Sequence, residues 1–152
     1  MENKNVILAR PNLFIVNEMK SFMSVCLFNP ASIVDMSELD KFRPEKIGGI
    51  VISTGLHSPV QASYTEVVVR SKKSFPGKPI LLASMIDVDN MKKSLTLNFE
   101  KEGIDFELLS IGEADKKNVL DRNKDLIVIQ KSDIIDERAY PMSKKVIQKF
   151  FN

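Results

Sequence analysis

Gly48-Gly49-Ile50-Val51-Ile52-Ser53-Thr54-Gly55-Leu56-His57-Ser58-Pro59 is the stretch whose reading decides the fold. Ile50 to Ile52 is an apolar run that begins after two glycines and leaves through Ser-Thr-Gly, the pattern of a short buried strand ending in a tight turn. Ser58 then offers a capping hydroxyl, and Pro59 fits the first helical position, where a missing amide donor costs nothing. A strand that turns directly into a helix is half of an α/β unit. In open α/β sheets ligands bind outside the carboxyl ends of the strands, so any site is expected near Ser53 to Ser58.

The same alternation extends in both directions. Upstream, Val6 to Ala9 is a continuous apolar run broken by Arg10-Pro11-Asn12. Ile15, Met19, Phe22, Met23 and Cys26 then recur at helical spacing until Asn29-Pro30. A second short strand is expected within Ala31 to Met36, and a brief helix starting at Ser37 carries Leu39 and Phe42 as far as Pro44. Downstream, Val60, Tyr64, Val67 and Val68 supply a helix face that closes at Phe75-Pro76-Gly77. Pro79 to Ala83 is a fourth strand. Asp87, Asp89 or Asn90 caps the helix of Met91, Leu95 and Phe99, which Gly103 ends. Phe106 to Ile111, with an edge-like mixture of polar and apolar residues, is a fifth strand. The polar segment from Glu113 to Lys124 reads as a solvated helix or a loop; Leu126 to Ile129 is a sixth strand and Ser143 to Asn152 a final helix. The expected architecture is a three-layer α/β domain with a doubly wound parallel sheet. It occupies 1–152 as one domain, with a core over 5–112 and a C-terminal extension over 113–152.

With 43% apolar and 28% charged residues in 152, the chain is expected to be globular rather than disordered. Its apolar runs are too short to span a bilayer, and Met1-Glu2-Asn3-Lys4-Asn5 lacks the core of a signal peptide, so the expected location is cytoplasmic, with no membrane partner. Cys26 is the sole cysteine, which leaves no intrachain disulfide. The net charge of +2 is spread among interspersed signs and gives no basic block for nucleic acid. Asp87 and Asp89 precede a helix and read as caps rather than metal ligands; neither a metal nor a cofactor is expected.

Strand by strand, residues from about 5 to 112 resemble the receiver domains of bacterial two-component response regulators, a flavodoxin-like family with strand order 2-1-3-4-5. The resemblance rests on spacing and hydrophobic pattern. Such domains carry an acidic pair after the first strand, a phosphorylatable aspartate after the third, a Ser or Thr after the fourth and a lysine after the fifth. Here the acidic pair falls on Arg10 and Pro11, the phosphoacceptor on Ser53 or Thr54, the hydroxyl on Ser84, and the lysine near Leu109 or Ser110. Only Ser84 matches. Aspartyl phosphorylation uses a hard cation held by carboxylates, and Arg10 would put a fixed positive charge in its place. Neither Ser53 nor Thr54 can form the acyl phosphate. The resemblance thus implies a pseudo-receiver.

Two functional readings follow. In the first, the chain is a non-enzymatic signalling or regulatory module that binds a protein partner, with homodimerisation implied as one form of that binding. The C-terminal helix, where Lys144, Lys145 and Lys149 alternate with Val146, Ile147, Phe150 and Phe151, either docks a partner or covers the domain's own sheet. In the second, Arg10, Ser53, Thr54, His57 and Ser84 form a cationic pocket for a small anion or a nucleotide, and the chain can be an enzyme. His57, the only histidine, could titrate near neutral pH, but no fixed partner for it is visible.

Overall fold

The computed structural model describes residues 4–10, 13–33, 35–54, 62–84 and 88–151. Six parallel strands form one sheet: β1 (Asn5–Arg10), β2 (Asn29–Ser32), β3 (Ile47–Ser53), β4 (Ile80–Ser84), β5 (Glu107–Ser110) and β6 (Asp125–Gln130). Their order is β2-β1-β3-β4-β6-β5. The helices are α1 (Leu13–Val25), α2 (Tyr64–Ser74), α3 (Val88–Glu102), α4 (Ile111–Lys116), α5 (Lys131–Ile135) and α6 (Tyr140–Phe151).

A parallel strand in the middle of such a sheet is covered on both sides, so its sequence is apolar at every position rather than at alternate ones. β3 is buried along all seven residues, β4 along all five. Side chains of β1 alternate between two cores: Val6 and Leu8 face one, Ile7 and Ala9 the other. The first core is closed by Met19, Phe22 and Met23 of α1, Ala114 of α4, and Val146, Ile147, Phe150 and Phe151 of α6. The second is closed by Val67 and Val68 of α2 and by Met91, Leu95 and Phe99 of α3. The result is the three-layer, doubly wound, flavodoxin-like receiver fold.

The face each helix takes follows from the direction of its crossover. The connections β3–α2–β4 and β4–α3–β5 step one way across the sheet and use one face; β1–α1–β2 and β5–α4–β6 step back and use the other. A single crossover hand demands that division. β5 is the edge and β6 lies inside it, paired with β4 from Ile80↔Leu126 to Ser84↔Gln130. The fifth strand in sequence is therefore not the fifth in space. β6 is fastened at its start by Asp125, whose buried carboxylate accepts both bonds of a bidentate contact from Lys117 Nζ at 2.9 Å and the Asp121 N–H at 2.8 Å.

Several local expectations move. The first 3₁₀ turn, Met36–Lys41, is capped by Asp35 with Glu38 completing a capping box, not by Ser37. α2 starts after Ser63, whose hydroxyl accepts from the Glu66 N–H; Ser58, Pro59 and Val60 lie outside the described residues, as does Asp87. Ile111 begins α4 rather than ending β5, because Ser110 and Glu113 form a second capping box. The polar segment is neither wholly helix nor wholly loop: α4 ends at Lys116. Gly103 closes α3 at a φ of +64°, the left-handed conformation that suits glycine. Cys26 is a core thiol, pushed up to about 11 by burial against the opposing pull of Lys144.

The two glycines of the opening stretch have separate reasons. β1 and β3 shift register between Asn5↔Ile47 and Val6↔Gly49, which leaves Gly48 as the extra residue of a bulge. At Gly49 a Cβ would meet the Phe151 ring and the Pro79 carbonyl at 2.9 Å, so the last turn of α6 rests on bare backbone. Gly49→Ala is expected to destabilise the fold by about 1–3 kcal/mol through overpacking, read as a lower midpoint in urea unfolding. Asp125→Ala, which strands the Asp121 amide and unpairs Lys117, should cost about 2–4 kcal/mol in the same assay.

Candidate functional site

The carboxyl ends of the strands gather the residues singled out from the sequence. Ser53 closes β3 and Thr54 follows it, both buried. Thr54 donates its backbone N–H to the Ala83 carbonyl at 3.0 Å and its hydroxyl to Ser84 Oγ at 2.9 Å. Two hydroxyls thus cross-link the ends of β3 and β4 inside the protein. Arg10 ends β1 in register with Ile52, after a shift that makes Ala9 the extra residue of a second bulge. Its backbone therefore stands beside the β3 terminus. His57 lies outside the described residues. The structure brings Ser53, Thr54 and Ser84 together, with the Arg10 position on the adjoining strand.

Chain departures mark two crevices along this edge. β1 leads to α1 on one face while its neighbour β3 leads to α2 on the other; β4 leads to α3 on one face while its neighbour β6 leads to α5 and α6 on the other. Adjacent strands whose connections part in this way open the crevice where α/β proteins bind ligands. At the second crevice Ser84 pairs with Gln130, and Lys131 comes next. Ser84, Gln130, Lys131, Glu18, Met19 and Ile134 line a cavity of about 10 Å³ there. That is space for a single water.

Lys131 stands at this edge after a strand that the sequence-based alignment did not consider. The lysine expected after a fifth strand was sought at Leu109 and Ser110, but those residues end the outermost strand, two places from β4. The strand that lies against β4 is β6, and a lysine follows it directly. A signal was available: Leu126 to Ile129 is apolar throughout, as an interior strand must be, whereas Glu107 to Ser110 has the mixed character of an edge. Ser84 and Lys131 thus stand at the ends of neighbouring strands. Among the described residues no three Asp, Glu, His or Cys side chains gather as a metal-ligand set.

No protein-family model matches the chain, and no curated protein sequence matches it. Solved structures do. The chain is similar to a response regulator receiver protein from Sinorhizobium medicae, at a TM-score of 0.55 and 12% identity over 96% of this chain and 95% of that one. It is similar to a signal receiver domain of an HD domain-containing protein from Pseudomonas fluorescens, at 0.54 and 11% over 96% and 95%. A structure described as adenylate cyclase from Rhodopirellula baltica matches at 0.56 and 12% over 98% and 90%. At these identities the likeness is one of fold.

The Thr54–Ser84 bond has a measurable signature. Ser84→Ala leaves a buried donor at Thr54 and is expected to cost about 1–2 kcal/mol of stability, while Thr54→Val with Ser84→Ala, which removes both polar groups, should cost less than the sum of the single changes. Chemical denaturation of the three variants closes that double-mutant cycle.

Proposed function

We propose that the chain is a signalling module of receiver fold that acts by binding a protein partner and does not run an aspartyl-phosphate switch. The observation that carries this reading is the state of the β3 terminus. Where a receiver needs an exposed carboxylate, this chain has Ser53 and Thr54, both buried, with the Thr54 hydroxyl committed to Ser84. Among the described residues, the cavity beside Ser84 has room for about one water. The last residue of β1 is Arg10, an always-charged residue type where the resemblance expects a carboxylate. Hydroxyls bonded to each other in this way suit a surface that is read by another protein, a second copy of the chain among the candidates.

A second reading, a small anionic ligand held at the same edge, draws support from one observation: Lys131 joins the Arg10 position in a row of strand ends that also carries Ser84. The two readings separate in one experiment. Thermal unfolding of the purified protein is compared in magnesium alone, in magnesium with beryllofluoride, and with a panel of nucleotides, for the natural chain and for Arg10→Ala. The proposal expects no magnesium-dependent beryllofluoride shift and no nucleotide shift that Arg10→Ala removes. A beryllofluoride shift that requires magnesium would overturn it, and a nucleotide shift lost in Arg10→Ala would establish the second reading instead.

A further inference from the structure

The opposite end of the sheet, where the strands begin, carries a cleft of about 330 Å³. Three connections build it: Phe75 to Lys78 between α2 and β4, Ile104 and Asp105 between α3 and β5, and Arg122 to Lys124 before β6. Its lining includes four cations, Lys72, Lys78, Arg122 and Lys124, against one carboxylate, Asp105. None of the ion pairs formed among the described residues involves any of the four.

Two of these cations have neutral partners. Lys72 Nζ donates to the Asn123 carbonyl at 2.6 Å, and Arg122 Nε donates to the Phe150 carbonyl at 2.9 Å, with a longer contact of 3.5 Å to that of Lys149. Arg122 thereby closes the carbonyl end of α6, a favourable place for a cation. These contacts anchor both side chains without neutralising them. Burial already pushes the Lys72 ammonium below its ordinary range, with Asp121 pulling the other way, so a bound anion would relieve a charge that is short of water. Lys78 and Lys124 are different: among the described residues no hydrogen bond or ion pair ties either side chain, and neither belongs to a helix.

The walls are held in place. The Lys124 carbonyl accepts the Glu107 N–H at 3.0 Å, the Lys78 N–H bonds the Phe75 carbonyl at 3.2 Å, and Asn123 is set by an Asp121 side chain that accepts its N–H at 2.9 Å. Gly77, at a φ of +76°, makes the turn on the other side of Asn123. A preformed concavity with convergent unneutralised cations and a partly apolar wall from Pro76 and Ile104 is the chemistry of a phosphate-binding site.

We propose that this cleft at the amino ends of β4, β5 and β6 binds a small phosphate-bearing anion, at a site separate from the carboxyl-terminal edge. The probe is inorganic pyrophosphate, titrated calorimetrically into the full chain at low ionic strength, with backbone amide NMR shifts to locate it. Saturable binding that moves the Gly77 and Asn123 amides is expected. Lys78→Gln with Lys124→Gln should weaken it by about tenfold or more, as two cation–phosphate contacts are lost. Lys92→Gln with Lys93→Gln, the same charge change on exposed positions near the start of α3, should leave it within about twofold, and so should Arg10→Ala. Absence of saturable binding would overturn the proposal. So would equal weakening by both lysine pairs, which marks general charge attraction, or loss in Arg10→Ala, which moves the anion to the other edge.

Discussion

Burial of a parallel sheet on both faces is the constraint from which the other features of this structure descend. Parallel strands cannot be joined by tight hairpins, so each connection is a crossover that lays a helix on one face. β3, without an exposed residue along its length, is the limiting case: every side chain on it must meet a helix. The two cores satisfy that need separately, one under α1, α4 and α6, the other under α2 and α3. Since the crossover hand is common, stepping outward and stepping back along the sheet fill opposite faces. The split of the helices is a consequence of strand order.

Strand order in turn rests on the C-terminal third of the chain. β6 enters between β4 and β5 and is pinned by a buried carboxylate, Asp125, which draws Lys117 and the Asp121 backbone over the start of the strand. α6 then covers the first core. Its final ring, Phe151, lies against Gly49 and edge-on to Phe28, so the last turn of the last helix contacts the strand at the centre of the sheet. Ser143, buried, donates to the Asp133 carbonyl at 2.7 Å and ties α6 back to α5. The residues that follow the receiver-like core are thus structural members of the same sheet and core.

The two ends of this sheet offer different chemistry. At the carboxyl ends, among the described residues, Thr54 bonds Ser84, and the cavity beside Ser84 has room for a water. At the amino ends, four cations line an open cleft, and two of them, Lys72 and Arg122, bond backbone carbonyls. An unsatisfied polar arrangement invites a ligand, whereas a satisfied one is stable as it stands. Function at the carboxyl edge is therefore read as a surface, and the amino end as a container.

The sequence alone determined the alternation of strands and helices, the two-sided burial of Val6 to Ala9, Ile50 to Ile52, Ile80 to Ala83 and Leu126 to Ile129, and the pairing of Ser84 with the β3 terminus in one edge, because apolar runs and turn residues are local signals. Cap positions were less legible: Asp35 took the role read for Ser37, since several short polar side chains near a helix start can each accept the free amides. Only the tertiary structure decided that β6 lies inside β5, and with it that Lys131 rather than the region of Leu109 stands beyond the strand next to β4. It also brought Lys72 of α2, Lys78 of the connection to β4, and Arg122 and Lys124 of the connection to β6 around one cleft. Both outcomes depend on which strands become neighbours, a choice made by packing between segments far apart in the chain, and hydrophobic periodicity within a segment does not encode it.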